Sequence, residues 1–249
     1  MNNLKAAYIN ELFKLYKKKK IYVAAILSAV SVAIGALISF LIKSFMGISA
    51  LGGTNFPILV LPVLLNTLVS LFVVFICVDM FAGEFSANTI KFTLTTPVSR
   101  FKIFTSKVLA AVSFIFANLM LIMVLSLIAS LFLPVSGGSI LYVFSAYLVS
   151  VLPLTAFALM VILISNLTKG TTSAFMTSVI LFLLFRGLEL VFPAYSAIFF
   201  TSSYDWYTYF AAIGGYLNYG KILRLFLVQT GYITVFFTLG YTIFDKKQI

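Results

Sequence analysis

Six long apolar stretches leave this chain few ways to fold. They cover residues 21–42, 58–81, 108–133, 141–165, 172–192 and 222–244. A helix needs about 20 apolar residues to cross the ~30 Å hydrocarbon core of a bilayer, where every backbone polar group must be satisfied within the protein. The pattern predicts an all-α integral membrane protein with six transmembrane helices. Composition agrees: 62% of residues are hydrophobic, 9% are charged and the mean hydropathy is +1.14, against about 25% charged in a soluble domain.

The flanking charges orient the spans, because basic residues are retained on the cytoplasmic side. Lys5, Lys14, Lys17 to Lys20, Lys91, Arg100, Lys102, Lys107, Lys169, Lys246 and Lys247 fall on one side of a six-span arrangement. The other side has Lys43 and Lys221 at span edges, with Arg186 and Arg224 inside spans. Both termini are therefore expected in the cytoplasm. The basic cluster comes late and no cleavage site follows, so the first apolar segment is expected to stay in the mature protein. The net charge of +11 is accounted for by topology and by anionic membrane lipid, worth about 1 kcal/mol per basic residue near the surface, and not by nucleic acid.

The chain has no His and a single cysteine, Cys77, within an apolar run. An intrachain disulfide is excluded, the thiol reads as buried and inert, and no metal site is expected. The six acidic residues are dispersed, which disfavours an enzyme. GYLNYGK at 215–221 approaches a phosphate-binding loop, but Ile222 stands where Ser or Thr would hold magnesium and no strand precedes it.

LKAAYINELFKLYKKKK, at the N-terminus, places Leu4, Tyr8, Leu12 and Leu15 or Tyr16 at helical spacing, with Lys5, Glu11 and Lys14 on other faces. Residues 1–20 read as an amphipathic helix at the inner interface, serving either as a basic anchor or as an elbow that steers the first span. Arg186 and Glu189 lie three apart in the fifth stretch and can pair. Their role is either on a substrate-facing or subunit-facing surface, or structural near the outer interface. Asp79 reads as an interfacial residue pairing with the adjacent loop. LGGTNFP at 51–57 and SGG at 136–138 read as external turns, and Tyr204, Trp206, Tyr207 and Tyr209 as an outer interfacial belt.

The segment GEFSANTIKFTLTTPVSRFKIFTSK, residues 83–107, is polar and basic between two apolar runs. Glu84 to Leu94 predicts a short helix, Pro97 stops it, and Ser99 is placed to cap a new helix through Arg100, Lys102 and Lys107. A simple connection would need only about 2–8 residues, so the segment reads as a docking surface.

The acidic Glu84, the Thr-rich stretch with Leu94, the turn Thr96-Pro97-Val98-Ser99-Arg100 and the following Lys107 resemble the cytoplasmic segment of permeases of the ABC-2 family; Asn88-Thr89 stands in place of that family's Gly-Thr pair. The resemblance covers residues 80–110 in motif and the rest of the chain in architecture. It implies one transmembrane domain over 1–249, with 83–107 as a coupling segment and 194–221 as short re-entrant helices before the last span. Glu84, Phe85, Thr89, Ile90, Phe92, Leu94, Pro97 and Arg100 would then couple to a separate cytoplasmic ATPase subunit, which binds the ATP and Mg, as this chain binds no cofactor. Glu84 and Arg100 would make mechanical contacts or pair with each other. A second permease copy or paralogue would complete the transporter in a bacterial plasma membrane. The implied function is export of an amphipathic or apolar cargo, with an antimicrobial or toxic peptide as the best guess. The alternative is a secondary transporter or channel not coupled to ATP.

Overall fold

The computed structural model describes residues 2–46, 56–87, 89, 98–133, 139–192, 199–209 and 219–247. Among these residues there is no strand, and six helices are long and apolar enough to cross a membrane. They are span 1 (Lys19–Ile42), span 2 (Phe56–Ser86), span 3 (Arg100–Phe132), span 4 (Ile140–Leu167), span 5 (Thr171–Val191) and span 6 (Tyr219–Lys246). A separate helix, Asn2–Tyr16, precedes span 1, and a 3-10 helix, Phe200–Tyr209, lies between spans 5 and 6. Of the turns expected at 51–57 and 136–138, residues 51–55 and 136–138 lie outside the described residues, and Phe56 and Pro57 already belong to span 2.

Span 3 starts well before residue 108. Its 33 residues extend about 50 Å at 1.5 Å per residue, more than the hydrocarbon core requires. The excess carries Arg100, Lys102 and Lys107. Nothing between residues 100 and 107 breaks a helix, and Ser99 occupies the cap position in an extended conformation, without a side-chain capping bond. The end of the 83–107 segment is thus the stem of a span. Its start is also helical: Ala82–Ser86 follows a break at Phe81 and stops at Ala87. The helix expected over Glu84 to Leu94 therefore begins two residues earlier and is interrupted at Ala87; Ile90, Phe92, Leu94 and Pro97 lie outside the described residues.

Span 4 is the centre of the bundle. In its most apolar stretch 67% of residues are buried, against 11%, 17% and 11% in spans 1, 5 and 6. Spans 2, 3, 5 and 6 all pack on it. Ala156, Ala158 and Ser165 of this span are buried, and such small residues let helix backbones approach closely. Span 6 contributes Gly240, whose carbonyl accepts from Asn166 Nδ2 at 3.3 Å. A Cβ there would lie 3.2 Å from Phe104, so the glycine permits the approach of span 3. Spans 1, 5 and 6 expose Ile26, Leu37, Ile180, Leu183, Leu223 and Leu227, a surface for lipid or another apolar protein.

Two prolines distort the spans, and side chains repair the backbone. Pro62 precedes a π-helical turn, Leu65–Val69, where Asn66 Nδ2 donates to the Pro62 carbonyl at 2.9 Å and Ser70 Oγ to the Leu65 carbonyl at 2.6 Å. Span 4 divides at Ser150 into Ile140–Val149 and Val151–Leu167. Pro153 has no N–H for the Val149 carbonyl, which instead accepts from Trp206 Nε1 at 3.2 Å.

That bond draws the 3-10 helix into the bundle. Tyr204, Trp206 and Tyr207 are buried among spans, and of the four aromatics only Tyr209 is exposed. The expected interfacial belt is therefore largely an internal plug: a backbone acceptor exposed by a proline is a stronger attraction for an indole than the headgroup region. Of the segment 194–221, residues 194–198 and 210–218 lie outside the described residues, and residues 219–221 already belong to span 6.

Candidate functional site

The end of the bundle that carries both chain ends gathers the N-terminal helix, the last turns of spans 2, 4 and 6, and the first turns of span 3. Here Lys107 has no exposed side-chain surface, although it is a lysine. Its Nζ donates to Glu84 Oε2 at 2.7 Å, to Glu11 Oε2 at 2.9 Å and to the Met80 carbonyl at 3.4 Å. Lys14 closes the ring, 2.8 Å from Glu11 Oε1 and 3.6 Å from Glu84 Oε1. Two carboxylates and two ammonium groups alternate, so the buried charges cancel and all three donor positions of Lys107 are used.

Burial tends to push the Glu11 carboxyl up, but Lys107 and Lys14 outweigh it and hold its pKa below the ordinary 4.5. Burial tends to lower Lys14, while Glu11 and Glu84 outweigh it and raise the amine above 10.5. The ring joins three elements that are far apart in the chain: the N-terminal helix, the end of span 2 and the stem of span 3. It corrects the expected placement of Glu11 alone: Tyr8, Leu12 and Leu15 pack on the protein as their spacing predicts, and Glu11 is buried beside them, while Ile9, Phe13 and Tyr16 are exposed. A polar residue on the packed face is tolerated because its partner is a buried lysine.

Glu84 and Arg100 do not pair with each other. Glu84 is committed to the ring, and Arg100 Nη1 donates to the carbonyls of Asp245 at 2.5 Å and Lys247 at 3.4 Å. The physical reason is competition: Lys107 and Lys14 already take up the Glu84 carboxylate, and the carbonyls that end span 6 take up the Arg100 guanidinium. Phe85 packs edge-on against Phe244, with centroids 6.0 Å apart, and Lys247 Nζ stands 3.9 Å above its ring. Thr89 is exposed. Asp79 pairs with Lys18 at 2.6 Å and Lys20 at 2.7 Å, so its partners come from the start of the chain and not from the adjacent loop.

At the opposite end, Arg186 Nη1 lies 2.8 Å from Glu189 Oε2 and donates to the Thr201 carbonyl at 3.1 Å, with its guanidinium 5.8 Å from the Tyr204 ring. The pair thus holds the 3-10 helix against span 5. Gln229 of span 6 supports the same helix, donating to the Phe200 carbonyl at 2.8 Å.

Sequence reasoning missed Glu11, Lys14, Lys107 and Lys247. The available signal was a lone acidic residue in a lysine-rich helix, matched by a second acid at the end of span 2. What the cluster can do is mechanical: it ties the end of span 2, the stem of span 3 and the N-terminal helix together by ion pairs. Among the described residues no three of His, Cys, Asp and Glu group to hold a metal.

Six membrane-crossing helices, the fourth of them the most buried, with the ends of spans 2 and 3 tied by ion pairs, define a multi-pass membrane protein. Residues 9–189 match the family described as ABC-2 family transporter protein, and the chain belongs to that family. The match includes every member of the ionic ring and Arg100, and ends at Glu189, before the 3-10 helix and span 6. No curated protein matches the chain at a significant level.

Proposed function

We propose that this chain is the membrane-spanning subunit of an ATP-driven exporter, docked through the loop between spans 2 and 3 to a separate cytoplasmic ATPase that binds ATP and Mg. The observation that carries the reading is the set of ion pairs joining the end of span 2 to the stem of span 3. Force entering through a loop reaches the spans only if no flexible joint intervenes, and Lys107, Glu84 and Glu11 remove such a joint between spans 2 and 3.

Both termini lie in the cytoplasm of a bacterium in this reading, as the one-sided lysines require. Two copies, or this chain and a paralogue, pair in the plasma membrane and pass cargo between them. The exposed sides of spans 1, 5 and 6 are apolar, which favours an amphipathic or apolar cargo. A peptide toxin or antimicrobial peptide fits best, and its export would give resistance. The residues Thr89, Ile90, Phe92, Leu94 and Pro97 meet the ATPase, while Glu84, Phe85 and Arg100 hold the stems.

Co-purification from the native membrane in mild detergent tests this. The tagged chain captures an ATPase, and Ile90→Asp with Leu94→Asp loses it. Capture of no ATPase, with flux through liposomes in the absence of ATP, would instead identify a secondary transporter or channel.

A further inference from the structure

Residues 245–247, immediately after the apolar part of span 6, touch both stems of the loop. Arg100, the first residue of span 3, donates to the carbonyls of Asp245 and Lys247. Lys247 Nζ donates to the Asn166 carbonyl near the end of span 4 at 3.0 Å and covers the ring of Phe85 at the end of span 2. The last carbonyls of a helix lack intrahelical donors and carry partial negative charge. Here the ends of spans 4 and 6 each receive a cation from another element, through charge-assisted bonds. Beneath them Phe244 is buried against Phe81, Phe85 and Phe104, and Asn166 Nδ2 donates to the Gly240 carbonyl.

We propose that residues 245–247 form a clasp that closes the base of the loop and makes its two stems and the end of span 6 one mechanical unit, with Lys247 and Arg100 as its positioning residues. The ionic ring ties span 2 to span 3 and the N-terminal helix; the clasp adds span 6. Its consequence for transport, that movement of the loop is passed to span 6 as directly as to span 3, rests on the reading of the loop as the ATPase dock.

The clasp is tested first without any ATPase, by hydrogen–deuterium exchange on the full chain in detergent. Lys247→Met keeps the aliphatic stem and removes the charge. It raises exchange together at residues 84–87 and 245–247, by about tenfold or more for the loss of a charge-assisted bond. Lys247→Arg keeps a cation over Phe85 and restores native exchange, which a packing defect would not do. Loosening of 245–247 alone, with 84–87 unchanged, overturns the clasp.

The second measurement uses the complex with its ATPase. Spin labels are placed at Ser86 and Thr238, both exposed, and native Cys77 is buried. One mechanical unit keeps the Ser86 to Thr238 distance constant when ATP is added, and Lys247→Met makes it nucleotide-dependent. A distance that changes with ATP in the native chain overturns the proposal. If no ATPase binds the native chain, the exporter reading fails, and the exchange measurement alone decides the clasp.

Discussion

Lys107 and Glu84 form a 2.7 Å salt bridge in which the lysine side chain is fully buried. Removing the lysine leaves Glu84 and Glu11 close together with only the partly exposed Lys14 between them. Breaking a buried pair from one side costs about 3–5 kcal/mol, so Lys107→Ala is expected to lower the thermal unfolding temperature in detergent sharply. Lys107→Met combined with Glu11→Gln and Glu84→Gln removes both the cation and the stranded charges, and should recover part of the loss. Equal destabilisation by the single and triple variants would show that packing, not charge balance, holds this site.

The same ring sets a pH window. Glu11 has a lowered pKa, so its contribution is fully present above its unfolded value near 4.5 and drains away as pH falls through the folded value. Lys14 has a raised pKa; its contribution is present below about 10.5 and is lost as pH rises through the folded value. Unfolding temperature should be flat with respect to these two groups between the two limits and fall outside them. Glu11→Gln, scanned over the same range, should flatten the acid limb.

How much of this could be read from the sequence differs between span and site. Apolar runs such as 108–133 are legible because length alone commits them to a bilayer. Lys107 was not, since a lysine at a span edge looks like every other topology-setting lysine, and its partner Glu11 lies 96 residues away. Glu11 lies three residues from Tyr8 and four from Leu15, so the helical period sets it beside the packed face; its charge, not the period, assigned it to solvent. Arg100 presented the same difficulty: its acceptors are backbone carbonyls at 245 and 247, which no residue type announces.

Trp206 is the only tryptophan and satisfies the Val149 carbonyl that Pro153 leaves open. Its fluorescence should be blue-shifted and resistant to acrylamide. Trp206→Phe keeps the ring and drops the donor, at an expected cost of about 1–3 kcal/mol for an unsatisfied buried carbonyl. Unchanged unfolding of this variant would mean that the kink in span 4 is satisfied in another way.

A Cβ at Gly240 would lie 3.2 Å from the Phe104 ring, so a side chain there fits only if the buried ring gives way. Gly240→Ala should cost about 1–3 kcal/mol by overpacking, and Gly240→Val more. Phe104→Leu in the alanine background should relieve part of it, as read by thermal unfolding of the double variant against each single one.

The account stands on the loop between spans 2 and 3 being where an ATPase docks. A photo-crosslinking amino acid at Thr89, exposed on that loop, tests this in intact cells. The account predicts a prominent adduct with a soluble ATPase polypeptide, lost when Ile90→Asp and Leu94→Asp are added. Adducts confined to lipid or to other permease chains would contradict it.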